Sequence, residues 1–213
     1  MKLQYKLTEV KPRIFFLNFK SQYQCAMTFL RYQEYYESPS LKFRSKTFNI
    51  LDFMDWYVQD NKTKICTYSI DWVGFNIPAN IITDIRKKGI PDENQYDAEM
   101  LKVYQKCLSK YPDGKFYLIG AVGTGITMKH EIAHGFFYTI PEYKREMIQL
   151  VDELSPMIKK RIFKWLVSIG YTDKVLVDEC QAYLSTGFNM SKLKLTGQEE
   201  PFKKVYNKYY KQV

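Results

Sequence analysis

The chain's only two histidines, His130 and His134, stand four residues apart in the segment TMKHEIAHGFFY, with Glu131 directly after the first. On an α-helix, residues four apart lie one turn above each other on the same face, so this spacing directs both imidazoles at one point. Glu131 is offset by about 100° around the helix and stands beside the pair, where its carboxylate reaches a water held at that point. This is the HExxH order, which binds zinc through the two histidines and takes a proton from water with the glutamate. With two histidines in 213 residues, chance produces the arrangement roughly one time in a thousand or less. Two core histidines satisfied by backbone carbonyls would explain neither the spacing nor the glutamate.

A catalytic zinc takes three protein ligands and leaves its fourth position to water. No further histidine exists, so the HExxHxxGxxH pattern is excluded and the third ligand is a carboxylate or a thiolate. The best candidate is Glu179 in VLVDECQAYL, on its own predicted helix and far enough along the chain to return antiparallel to the first. Asp178 is the alternative, facing about 100° away. Val175, Leu176, Val177, Ala182, Tyr183 and Leu184 make this helix apolar, and an acid on its buried face needs a partner.

The elements that carry these residues are legible in outline. RIFFLNF has strand composition, and SQYQCAMTFLRYQEYYES follows as a helix with Ser21 as N-cap. TFNILDFMDWYVQD reads as a helix, KICTYSIDWVGF as strand and turn, and Pro91 to Lys110 as a longer helix stopped by YPDG. KFYLIGAV is the clearest strand. GAVGTG after it is a turn, because it lacks the Lys-Ser/Thr of a phosphate loop and the spacing of a dinucleotide fingerprint. From there the pattern is helical: PEYKREMIQLVDELS from Pro141, PMIKKRIFKWLVSIG to Gly170, and DKVLVDECQAYLSTG to Gly187. The expectation is an α+β fold. A small mixed sheet with helices fills a lobe over 1–122, and a helical lobe over 123–213 carries the HExxH helix and the second ligand helix, both in one domain spanning 1–213.

Composition narrows the class. With 46% apolar residues, a chain of this length buries one sizeable core. The net charge of +9 comes from 32 Lys and Arg against 23 Asp and Glu and is largely dispersed. Its densest places, IKKRIFKW and the tail PFKKVYNKYYKQV, read as solvated helix faces with an aromatic stripe packed inward, so any nucleic-acid binding is expected to be weak and non-specific. Four scattered cysteines read as reduced thiols. Charges interrupt the first twenty residues before a signal-peptide core could form, and no apolar run approaches the roughly 20 residues of a membrane span. The expected location is the cytoplasm, with secretion by a non-Sec route or packaging in a particle compatible with the same features.

The segment Thr127, Met128, Lys129, His130, Glu131, Ile132, Ala133, His134, Gly135, Phe136 resembles, place by place, the extended HExxH pattern of the gluzincin class of zinc metallopeptidases, which add a distal glutamate on a second helix. ECQAY, Glu179 to Tyr183, is similar to the Glu-x-x-Ala-Asp segment of the prenyl-protein metallopeptidase group and its soluble relatives. The resemblance spans Thr127 to Tyr183, about a quarter of the chain. It implies a zincin-like fold, one zinc per chain held by His130, His134 and Glu179, and a protein or peptide substrate hydrolysed with Glu131 as general base. Where that group has an Asp that orients a ligand histidine, this chain has Tyr183, whose phenol could accept an imidazole Nδ1 proton more weakly.

FYLIGAV is either an edge strand on which an extended substrate pairs or an ordinary core strand. Tyr138, Tyr143, Tyr171 and Tyr183 are candidate oxyanion donors. Residues 1–114 resemble nothing of known function and are where a substrate would be selected. The rival reading is a non-catalytic metal-binding scaffold or a component of a larger complex, which would have no use for Glu131. A third is a peptidase acting on nucleic-acid-bound proteins, which would use the positive charge.

Overall fold

The structure, a computed structural model, describes residues 3–187, 193, 195 and 197–212. The chain divides into two compact units, Met1–Thr124 and Gly125–Val213. The architecture is mixed α+β, with one four-stranded sheet and ten helices among the described residues.

In the first unit, β1 (Tyr5–Lys11) and β2 (Ile14–Phe19) form an antiparallel hairpin that turns at Arg13, which takes a positive φ of 66°. The charged start of the chain thus contains a strand that the apolar pattern did not announce. Its side chains alternate in exposure, as expected of a strand at a sheet edge. α1 (Gln22–Glu37) starts at Ser21, whose hydroxyl accepts the Gln24 N–H as expected, and α2 (Ile50–Asp60) is capped by Asn49. KICTYSIDWVGF departs from the strand-and-turn expectation. Thr67 and Tyr57 both donate to Asp71 Oδ2, at 2.6 and 2.8 Å, closing a single helical turn, α3 (Tyr68–Asp71), before β3 (Gly74–Pro78). α4 (Ala79–Lys88) follows, and α5 (Gln95–Lys110) begins four residues later than Pro91 because Asn94 and Asp97 form a capping box there.

β4 (Tyr117–Val122) completes the sheet in the order β1-β2-β4-β3, parallel to β2 and antiparallel to β3. FYLIGAV is therefore an interior strand with both edges paired, and no substrate strand can add to it. The edges belong to β1 and β3. Tyr117 through Ala121 are all buried, which is the continuous apolar run of a strand covered on both faces rather than the alternation of an edge. Gly120 shows how closely it is covered, because a Cβ there would stand 2.3 Å from a ring carbon of Phe29 on α1.

The second unit is helical: α6 (Ile126–Thr139), α7 (Pro141–Glu153), α8 (Pro156–Ser168), α9 (Leu176–Thr186) and α10 (Glu200–Gln212). Pro141 and Pro156 occupy first-turn positions, where a missing N–H costs nothing, and Gly187 ends α9 at φ 72°. α10 buries Phe202, Tyr206 and Tyr209 and turns Lys204, Lys208 and Lys211 outward, the amphipathic reading of the tail; Val213 lies outside the described residues. Tyr206 donates to the Lys129 carbonyl of α6 at 3.1 Å, and Tyr209 to Glu146 of α7 at 2.6 Å. All four cysteines are free. No helix among the described residues is long and apolar enough to cross a membrane.

Candidate metal centre

Every residue from His130 to Phe137 is buried, so this stretch of α6 is enclosed all round and its polar residues need partners. α9 packs along it. The first turn of α9 contains Asp178 and Glu179, at the helix end where the unpaired N–H groups favour negative charge. His130, Glu131, His134 and Glu179 are exposed by only 4, 5, 2 and 3%.

The imidazoles point their Nε2 atoms at each other, 3.2 Å apart. The Glu179 carboxylate faces both, with Oε1 3.6 Å from His134 Nε2 and Oε2 3.7 Å from His130 Nε2. His134 donates its Nδ1 proton to Asp178 Oδ1 at 2.9 Å, so in the neutral ring, the form that binds a metal, Nε2 presents a lone pair to the cluster. A tetrahedral site with metal–nitrogen bonds of about 2.0–2.1 Å has edges of about 3.3 Å, close to the 3.2 Å between the two Nε2 atoms, and one ligand atom from each of the three residues lies within 4.8 Å of the others. Glu179 Oε2 is buried without a hydrogen-bond partner, and such an oxygen is costly to leave uncompensated. Together the three residues form a buried cluster that could hold a metal ion.

Electrostatics favour a cation. Burial alone would lower the His134 pKa, but the Asp178 carboxylate, then Glu179, and further the field of Glu131 overcome it and hold the imidazolium well above the usual histidine range. The same field that attracts a proton attracts a metal ion. Cys180, next to Glu179, does not serve as a thiolate: burial pushes its pKa up to about 12. In comparisons with protein-family models, curated proteins and solved structures, the chain matched none.

Asp178 accepts the Nδ1 proton of His134, the role considered for Tyr183, and does so from one residue before Glu179 rather than four after it. The Tyr183 hydroxyl lies 3.3 Å from that of Tyr171, and its ring stands edge-on to His130 with centroids 4.6 Å apart. Tyr143 is fully buried and donates to Gln181 Oε1 at 2.8 Å, which removes it from the oxyanion candidates; Tyr138 is half-exposed. Gln181 escaped the sequence reading altogether. It donates to Asp178 Oδ1 at 2.9 Å, and the signal was available in the i, i+3 spacing of Asp178 and Gln181 on one helix face.

Proposed function

We propose that the chain is a zinc-dependent metallopeptidase of zincin-like architecture, with His130, His134 and Glu179 as zinc ligands and Glu131 as general base. The observation that carries the reading is the convergence of both Nε2 atoms and the Glu179 carboxylate on one buried point, with Glu131 buried on the same helix as the two histidines. Bound there, zinc would polarise a scissile carbonyl and acidify a water. The protein's own part is positional and protonic. Asp178 holds the His134 ring with its Nε2 lone pair inward. The Glu131 carboxylate accepts a proton from the attacking water and returns it to the leaving amine. A purely structural metal site would need the three ligands and not Glu131.

The test uses the zinc-reconstituted full chain and an unbiased peptide library. Glu131→Gln keeps size and helix preference, so zinc content and melting temperature should stay near wild type while kcat falls about 100-fold to 10,000-fold. Cleavage by Glu131→Gln at the wild-type rate removes Glu131 from the chemistry. Stoichiometric zinc with no cleavage of any peptide transfers the site to the structural reading.

A further inference from the structure

The Gln181 side chain is fully buried in the second unit, and each end of its amide is engaged. Its Oε1 accepts from Tyr143 at 2.8 Å, and its Nε2 donates to Asp178 Oδ1 at 2.9 Å and to the Ala133 carbonyl at 3.4 Å. These bonds leave one orientation for the amide. Rotated by 180°, it would set its oxygen against a carboxylate and a carbonyl, three acceptors without a proton among them. In that orientation Tyr143 supplies a hydroxyl proton to Oε1 and fastens the amide on its acceptors. Gln181 in turn grips the chain on both sides of His134: Asp178, which takes the Nδ1 proton, and the carbonyl of the residue just before it.

We infer that Gln181 and Tyr143 are positioning residues that act through Asp178 to keep His134 in the Nδ1–H tautomer, with Nε2 free to bind a metal. Neither touches the ligand point. The inference rests on the metal-site reading for its consequence, since the tautomer matters through the affinity of Nε2. Without Gln181, Asp178 Oδ1 loses a donor and becomes free to turn from the imidazole, and the His134 proton is no longer confined to Nδ1. Without the Tyr143 hydroxyl the amide oxygen loses its donor and the amide is held less firmly on Asp178, so the same effect follows in weaker form.

The experiment compares wild type, Tyr143→Phe, Gln181→Met and the double variant by two measurements. The ¹⁵N shifts of the His134 ring in metal-free protein, taken at a pH high enough to remove the imidazolium proton, report the tautomer, and chelator competition reports zinc affinity. Wild type should show His134 protonated on Nδ1 alone, and Gln181→Met a mixture of tautomers with a 10- to 100-fold loss of zinc affinity. Tyr143→Phe should lose several-fold, and the double variant should match Gln181→Met, because Tyr143 works only through Gln181. The double variant leaves neither member of that pair orphaned, which keeps the test available if Gln181→Met alone folds poorly. Variants that lose stability while keeping the wild-type ring shifts and affinity overturn the inference and leave the two residues as packing. A wild type that binds no zinc overturns the metal reading instead, and the ring shifts still decide whether Gln181 and Tyr143 set the tautomer.

Discussion

Arg31 in the first unit and His134 in the second are both buried basic side chains facing carboxylates, but the charge around them is closed in one case and open in the other. Arg31, 1% exposed, gives Nε and one terminal nitrogen to Asp97 at 3.1 and 3.3 Å, shares that nitrogen with Asp92 at 2.9 Å, and donates with the other to the Phe48 carbonyl. The remaining oxygen of Asp92 accepts from the Ile50 N–H, and Asp97 Oδ2 accepts from the Asn94 N–H as well as from Arg31. Around His134 and His130 stand three carboxylates, Glu131, Asp178 and Glu179. No lysine or arginine among the described residues pairs with Asp178 or Glu179. A fork of donors matched to its acceptors is architecture, whereas acceptors converging on a point without a cation make a binding site.

The largest effect should come from breaking the closed cluster. Arg31→Met removes the cation paired with Asp97, whose carboxyl is already pushed up by burial despite the guanidinium. Leaving one partner of a buried pair costs about 3–5 kcal/mol, measurable as a lower urea midpoint, and zinc should restore none of it. Adding Asp97→Asn should recover part of the loss, because the amide keeps an acceptor for the Asn94 cap and sheds the orphan charge. A loss below about 1 kcal/mol for Arg31→Met would break the comparison, by showing that the ion pair had been offset by its own desolvation.

Glu34 lies between these cases, a buried acid on α1 with neither a cation nor converging partners. It is 8% exposed, with Oε2 unbonded, and faces the hydroxyls of Ser38 and of Tyr68 on α3, with Tyr57 of α2 nearby. Burial raises its carboxyl from 4.5 to about 7, against the pull of those two hydroxyls. The folded chain thus holds this proton more tightly than the unfolded chain. The stabilisation is whole below about pH 4.5 and is lost as pH rises through about 7, up to about 3 kcal/mol in all. Glu34→Gln should flatten the decline in urea stability between pH 5 and pH 8. His134 and Asp97, also raised, act with the same sign, and subtracting the variant from wild type removes them. The lowered carboxyls of Glu9, Glu99, Asp113 and Glu146 act in the opposite sense as pH falls below their ordinary values. An identical pH profile in Glu34→Gln would mean that Glu34 ionises in the folded chain at its ordinary value, with no cost of burial.

The open cluster was more legible in the sequence than the closed one, for a physical reason. Helical spacing alone directs His130 and His134 to one point, and an acid in the apolar α9 needs a partner, so local periodicity reaches both halves of the site. Arg31 and Asp97 are 66 residues apart, and nothing local distinguishes Arg31 from a surface arginine. Gln181 was missed because an amide carries no charge to explain. β1 was missed because an edge strand tolerates Lys6 and Thr8 on its open face and Glu9 on the other, where Lys110 and Tyr111 donate to it, and β4 was left undecided between edge and interior because periodicity does not say which strands pair on both sides. α3 depends on Tyr57 and Thr67 converging on Asp71, the first of them a tertiary contact.

The smallest effect is the most discriminating, because it changes sign. Zinc at 100 times its Kd should stabilise the folded chain by about 2.7 kcal/mol through mass action, read as a rise in the urea midpoint. Glu179→Gln should lose that increment. Without zinc the same variant should be at least as stable as wild type, because it replaces a buried carboxylate, one oxygen of which lacks a hydrogen-bond partner, with a neutral amide that can donate to the neighbouring acceptors. Arg31→Met, by contrast, should be destabilised under both conditions by the same amount. An open site is worse built than its neutral variant until its ligand arrives, and a closed cluster is not. If Glu179→Gln is destabilised equally with and without zinc, Glu179 belongs with Arg31 as part of the architecture, and the ligand role passes to Asp178, where Asp178→Asn would then show the change of sign.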